Sequence, residues 1–164
     1  MIEAVIFDLD GTLIYLPIDY EKLFQEIGKI TKMSNVRPLT KVVAELDEET
    51  KRKVFDVWNK IEVEALANMK VNSEGIAYYK KFLEKRKALV TMQGKPLVQI
   101  VLKNLSLSFN FIITREDSLN RVEQLKIAAE KLGIQMQNIL FIGNTNEDMP
   151  AAKTVECQFM RVGE

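Results

Sequence analysis

Apolar residues fall into two kinds of run along this chain. Short, continuous stretches rich in β-branched residues recur at Ala4–Phe7, Ala88–Thr91, Phe111–Thr114 and Ile139–Ile142, with a weaker one at Cys157–Val162. Turn-forming residues follow each of them. Continuous rather than alternating hydrophobicity predicts strands covered on both faces, as in a parallel sheet. Between these runs, apolar residues return at helical spacing. Val98, Val101, Leu102 and Leu105 form one stripe, and Val122, Leu125, Ala129 and Leu132 form another that Gly133 closes. Ser73 is the expected N-cap of a helix carrying Ile76, Tyr79 and Leu83. Strand–helix alternation of this kind predicts an α/β fold, doubly wound around a mainly parallel sheet, with ligands at the C-terminal ends of the strands.

Residues 15–72 break the alternation with a mostly helical pattern. Tyr20, Leu23, Phe24, Ile27 and Ile30 predict one amphipathic helix with Asp19 as N-cap, bracketed by Pro17 and Pro38. Val54, Val57, Trp58, Ile61 and Ala65 predict a longer one. The expected organisation is an α/β core from residues 1–14 and 73–164, with a small helical cap of residues 15–72 inserted after the first strand. From the insert, Tyr20, Phe24, Arg37, Lys41 and Trp58 are the candidates to face a pocket. The basic run Lys51-Arg52-Lys53 is flanked by Glu48 and Glu49 and reads as a solvated helix face.

A chain of 164 residues can bury one good core and a small second lobe. Lys+Arg and Asp+Glu balance at 23 each, which gives no electrostatic reason to expect a nucleic-acid or membrane partner. No apolar stretch approaches the roughly 18 residues of a membrane span, and the chain enters its first strand with no leader-like pattern, so a cytoplasmic protein is expected. Cys157 is the single cysteine and sits in an apolar run, which places it in the core. The absence of histidine has the larger consequence. It excludes Ser-His-Asp and Cys-His mechanisms, and leaves acid–base chemistry to carboxylates, Lys or Tyr.

The candidate chemistry lies in Asp8-Leu9-Asp10-Gly11-Thr12, directly after Ala4–Phe7. Two carboxylates at i and i+2, where a strand ends and the chain turns, can supply a nucleophile and a separate acid from one short segment. Gly11 permits the tight backbone path. This segment resembles the signature of the haloacid dehalogenase-like (HAD) superfamily, with a Rossmann-like sheet and, here, the small helical cap of its phosphatase-like subfamily. Members are mostly Mg2+-dependent phosphatases with an aspartate nucleophile. The resemblance implies that Asp8 forms an aspartyl-phosphate and binds Mg2+, and that Asp10 is general acid and base with its carbonyl on the metal. Dehalogenases of the superfamily generally lack the second aspartate, so its presence favours phosphoryl chemistry. The resemblance also assigns Thr91 to phosphate binding. The Gln93 and Gly94 amides, leading to a helix with Pro96 in its first turn, would complete an anion cradle with Gly11 and Thr12.

Two later motifs depart from the family pattern. Its lysine precedes the helix that begins near Val122, and setting Val122-Glu123 on the family's Pro-Glu puts Leu119 at the lysine position. Arg121 and Arg115 are the two candidates to replace its charge. The fourth motif reads Gly143-Asn144-Thr145-Asn146-Glu147-Asp148, with Asn144 where the family has a metal-binding aspartate. An amide oxygen can still meet a hard cation, without the charge. The expected metal set is therefore Asp8, Asp10, Asn144 and Asp148, and the expected catalytic set Asp8, Asp10, Thr91 and Arg121. Together these imply a metal-dependent phosphomonoester hydrolase acting on a small phosphorylated metabolite. Leu119 and Asn144 motivate a second reading, a HAD-fold protein that binds a phosphorylated ligand or a protein partner without turnover. A phosphotransferase or mutase of the same fold is a third.

Overall fold

The computed structural model describes residues 1–144 and 146–163. The chain begins with β1 (Ala4–Phe7) and β2 (Ile14–Tyr15), passes through α1 (Tyr20–Thr31), α2 (Leu39–Ala44) and α3 (Glu48–Ala65), and returns by β3 (Lys70–Val71) and α4 (Ser73–Lys81). Regular alternation follows with β4 (Arg86–Val90), α5 (Lys95–Leu105), β5 (Phe111–Ile113), α6 (Arg121–Leu132), β6 (Ile139–Gly143), α7 (Asp148–Thr154) and β7 (Gln158–Arg161). The five expected strands form one sheet in the order β5-β4-β1-β6-β7, with every neighbouring pair parallel.

The continuous apolar sequence of β1 has a direct structural cause. Val5 and Phe7 pack on one face with Leu97, Val98 and Val101 of α5 and Tyr79 of α4, while Ala4 and Ile6 pack on the other with Leu125 and Ala128 of α6 and Ala151 of α7. Helices thus cover both faces, and the sheet is doubly wound. The chain leaves β1 toward β4 on one side and reaches β6 on the other, so the C-terminal ends of these strands flank the crevice at which such sheets bind ligands.

The helices between β2 and β3 are fixed by their caps and by the neck beneath them. Asp19 Oδ1 accepts from Lys22 N at 3.1 Å at the start of α1, and Asp47 Oδ1 accepts from Thr50 N at 2.8 Å at the start of α3. In the neck β2 and β3 pair antiparallel, Ile14 opposite Val71 and Tyr15 opposite Lys70. Two-residue strands carry no readable period, which is why neither was expected; nor was α2. In the basic run on α3, Arg52 and Lys53 are exposed and Lys51 is half-buried, with Lys51–Glu48 and Lys53–Glu49 pairs at 3.5 and 3.8 Å.

One cap is corrected. Asn72, not Ser73, caps α4, its Oδ1 accepting from Glu74 N at 3.1 Å, and the helix stops at Lys81, leaving Leu83 beyond it and exposed. Cys157 is buried, as expected. Among the described residues, no helix is long and apolar enough to cross a membrane.

Candidate active site

Asp8 follows directly on β1 and is buried, its amide donating to Ile142 O at 3.0 Å. Its Oδ1 accepts from Arg121 Nη2 at 3.1 Å, whereas Oδ2 is buried with no hydrogen-bond partner. Arg121 opens α6 and uses its whole fork: Nε lies 3.0 Å from Asp148 Oδ1, and Nη1 donates to Gln124 Oε1 at 2.8 Å. Of the two arginines offered in place of the family lysine, Arg121 is therefore the one at the aspartate. Leu119 packs partly buried against the core.

Asp10 sits just past the turn, its Oδ1 accepting from Leu16 N at 2.9 Å. Gly11 has φ of 85° and donates to Ile14 O, a conformation that L side chains rarely adopt. Thr12 is completely buried beneath this turn. Both residues shape the turn and lie outside the cavity wall that Asp8 and Asp10 help form.

The cradle after Thr91 is built differently from the expectation. Thr91 is fully buried; its hydroxyl donates to Gln93 Oε1 and accepts from Gln93 N at 3.1 Å. The Gly94 amide donates to Glu62 Oε1 at 3.0 Å, and the Lys95 amide to Glu116 Oε1 and Oε2 at 3.2 Å each. Two of the chain's own carboxylates thus occupy the N-terminus of α5, and the Gly94 amide, expected at a phosphate, donates to Glu62. Met92 and Gln93 remain on the cavity wall.

Glu62 and Gln124, both buried, and the half-buried Asn59 are polar residues that the sequence reading leaves out. Arg115 Nη1 meets Glu62 Oε2 at 2.8 Å and donates to Met92 O at 3.0 Å; its Nη2 donates to Asn59 Oδ1, and its guanidinium stacks 4.1 Å from the Trp58 ring centroid. Both charged side chains are fully buried, so the pair clamps α3 to the loop after β4. Gln124 Nε2 donates to Thr91 O at 2.9 Å and Ser118 O at 2.8 Å, tying Arg121 to the strand ends. A sequence signal existed for two of them: Glu62 falls on the buried stripe of Trp58, Ile61 and Ala65, and Gln124 lies one turn from Arg121 and beside Leu125.

A cavity of about 390 Å³ opens over these groups, lined by Asp8, Asp10, Met92, Gln93 and Arg121 from the core, and by Tyr20, Leu39, Thr40 and Trp58 from the insert. Of the five insert residues expected at a pocket, Tyr20 and Trp58 reach this one. Arg37 instead stacks 4.4 Å over Phe24, both on a separate cavity, and Lys41 lines a third.

Burial raises the Asp8 carboxyl well above the usual carboxylate range, against the pull of Arg121 and with a further push from Asp148. Burial also raises Asp10. Tyr20 is pushed up to about 12, by burial first and then by Asp10, so it stays protonated at neutral pH. When ionised, the three aspartates outnumber the one guanidinium between them, which leaves an excess of negative charge where a phosphate would have to enter.

A divalent cation would find part of its donor set here. Among the described residues, no group of three or more His, Cys, Asp or Glu is arranged to hold a metal on its own. Yet the partnerless Asp8 Oδ2 is buried, and Asn144 donates Nδ2 to Val162 O at 2.8 Å, leaving its carbonyl oxygen for a cation. Asp148 accepts the Asn144 amide at 3.1 Å and orients that loop. Mg2+ commonly takes one or two carboxylates, with substrate phosphate and water completing its shell.

A parallel, doubly wound sheet with an acidic pair at the end of its central strand defines a recognisable class of α/β proteins. The model of the haloacid dehalogenase-like hydrolases matches residues 2–155, and the chain belongs to that family. It is 34% identical over 74 residues to the phosphoglycolate phosphatases of Escherichia coli K12 and Shigella flexneri, a match that takes in 42% of this chain and 29% of either enzyme's length. Among solved structures, a family IA, variant 3 HAD hydrolase from Entamoeba histolytica superposes with a TM-score of 0.74 at 17% identity, covering 99% of this chain and 84% of the other. A hydrolase from Pseudomonas syringae gives 0.72 at 20% identity, over 97% and 83%. Identities this low speak for the fold alone.

Proposed function

We propose that this chain is a Mg2+-dependent phosphomonoester hydrolase whose residues 15–72 serve as a cap over the site. The observation that carries the reading is the state of Asp8: one oxygen pinned by Arg121, the other buried and without a partner. Asp8 Oδ2 attacks the phosphorus, the P–O bond to the alcohol breaks, and the departing oxygen takes the Asp10 proton. The product is an aspartyl-phosphate and a free alcohol. Asp10, now ionised, takes a proton from the water that attacks this acyl phosphate, releasing inorganic phosphate and restoring Asp8. The raised Asp10 carboxyl suits a group that must hold a proton at the start of the cycle. Arg121 compensates charge on the phosphoryl oxygens, and Gln124 is its positioning residue. Bound Mg2+ would be held by Asp8, the Asp10 carbonyl and Asn144, with Asp148 orienting, and would neutralise the charge of the incoming phosphate.

The names of the matched phosphoglycolate phosphatases support phosphatase chemistry. Asn144, which offers an amide where the family has a charged metal ligand, favours the alternative, a phosphate-ester binder without turnover. Release of phosphate from p-nitrophenyl phosphate, with Mg2+ or with chelator, decides between them. Mg2+-dependent release that vanishes in Asp8→Asn is expected; no release from the wild type at high Mg2+ would overturn hydrolysis in favour of binding.

A further inference from the structure

The wall facing the acidic pair constrains what the ester can carry. Tyr20, Leu39, Trp58 and Met92 give it an apolar, partly aromatic surface, broken by uncharged polar groups of Thr40, Gln93 and Asn146. Among the described residues that line the cavity, Arg121 is the one cation, and Asp8 and Asp148 already share it. Glu147 adds negative charge to the rim. The neighbouring basic residues are turned to other work: Arg115 is buried on Glu62, and Lys41 lines a different cavity. A second anionic group on the substrate would therefore be desolvated against rings and carboxylates with no counter-ion, an arrangement that costs far more than it returns.

Resting on the hydrolase reading, we propose that this site takes phosphate monoesters of uncharged alcohols with a flat apolar body, aryl esters among them. It excludes phosphorylated hydroxy acids such as phosphoglycolate. The aromatic pair supplies stacking surface for the body of the alcohol. Selection comes from repulsion as much as from contact.

Trp58 is the chain's single tryptophan and lines the cavity, so its fluorescence reports occupancy without turnover. Phenylphosphonate and phosphonoacetate, which carry a non-hydrolysable C–P bond, are titrated into the wild-type chain with excess Mg2+. Phenylphosphonate is expected to shift Trp58 emission at concentrations at least about tenfold below those phosphonoacetate needs, as an unpaired buried carboxylate requires. Thr40→Arg, which puts a cation into the wall, is expected to bring the two within about threefold. Equal or tighter binding of phosphonoacetate to the wild type, or no response to either ligand, would overturn the proposal. Failure to hydrolyse p-nitrophenyl phosphate while the preference persists would instead sink only the hydrolase reading.

Discussion

Replacing Arg115 by Met tests the clamp between α3 and the core. In the wild type the Glu62 carboxylate is completely buried and receives two donors, Arg115 Nη1 at 2.8 Å and Gly94 N at 3.0 Å. Arg115→Met leaves the charge inside with the Gly94 amide alone. Breaking a buried pair by removing one partner costs about 3–5 kcal/mol, most of a typical stability of roughly 5–15 kcal/mol. With a urea m-value of about 2 kcal/mol/M, a loss of about 4 kcal/mol lowers the unfolding midpoint by about 2 M. Met fills much of the volume, so packing contributes little to this figure. Adding Glu62→Leu removes the stranded charge, and the double variant should recover more than half of the loss. The pH dependence follows from Glu62, whose carboxyl burial already holds above its ordinary value despite Arg115. Without Arg115 it rises further, and a group with a raised folded-state pKa destabilises only where it is ionised. The deficit is therefore largest at pH 8 and shrinks as pH falls through the new, higher pKa. Urea titrations followed by circular dichroism at pH 5.5 and pH 8 measure both effects. A midpoint shift under about 0.5 M, or one equal at the two pH values, would refute the clamp.

Three further outcomes are expected. Asp8→Asn removes a buried carboxylate whose pKa is raised foremost by burial, and leaves Arg121 to Asp148. It should gain about 1 kcal/mol, a Tm rise of roughly 2–4 °C at pH 8 that fades as pH falls, while activity is lost; a lower Tm at pH 8 in thermal scans would contradict this. In Gly75→Ala the new Cβ would lie 1.7 Å from the Thr12 carbonyl oxygen, a clash with backbone that no side-chain rotation relieves. It should cost about 3 kcal/mol or more in chemical denaturation, whereas Gly133→Ala, with open space but a φ of 69°, should cost about 1 kcal/mol. Asn144→Asp loses the bond to Val162 O and puts a carboxylate beside that carbonyl; it should lower Tm in chelator and restore it with excess Mg2+, and a response to Mg2+ no larger than the wild type's would remove Asn144 from the metal set.

The legible parts of this fold are those in which one residue's environment is set by its own segment. Continuous runs such as Ala4–Phe7 and Ile139–Ile142 announce strands covered on both faces, and the acidic turn after the first run announces the site. Less legible is what depends on a partner far along the chain. Glu62 reads as one more charge on a charged helix, and only the approach of Arg115, 53 residues away, makes it a buried anion. The Gly94 amide is a second case, since no local rule says that Glu62 will claim it. Motif spacing alone offers both Arg121 and Arg115 for the lysine's charge, although the expected catalytic set takes only Arg121. Their separation comes from Arg121 sitting at the first position of α6, one turn before Gln124, while Arg115 leaves the end of β5 toward α3.

The exchange of an ammonium for a guanidinium follows from what the cation must reach. Arg121 meets Asp8, Asp148 and Gln124 through three different nitrogens. An ammonium is a point charge, whereas the guanidinium is a rigid fork with five donors. Spanning two carboxylates and an amide at once holds Asp8 Oδ1 still, which fixes where Oδ2 points. The same span divides one positive charge between two negative ones, and burial, with a further push from Asp148, keeps Asp8 raised despite a cation at 3.1 Å. With the N-terminus of α5 already met by Glu62 and Glu116, little further fixed positive field is left for a phosphate dianion. The charge it lacks must arrive with the ligand. Under the proposed Mg2+-dependent reading, such a site would make substrate and cation bind together, and Asn144 in place of a charged ligand would strengthen that dependence.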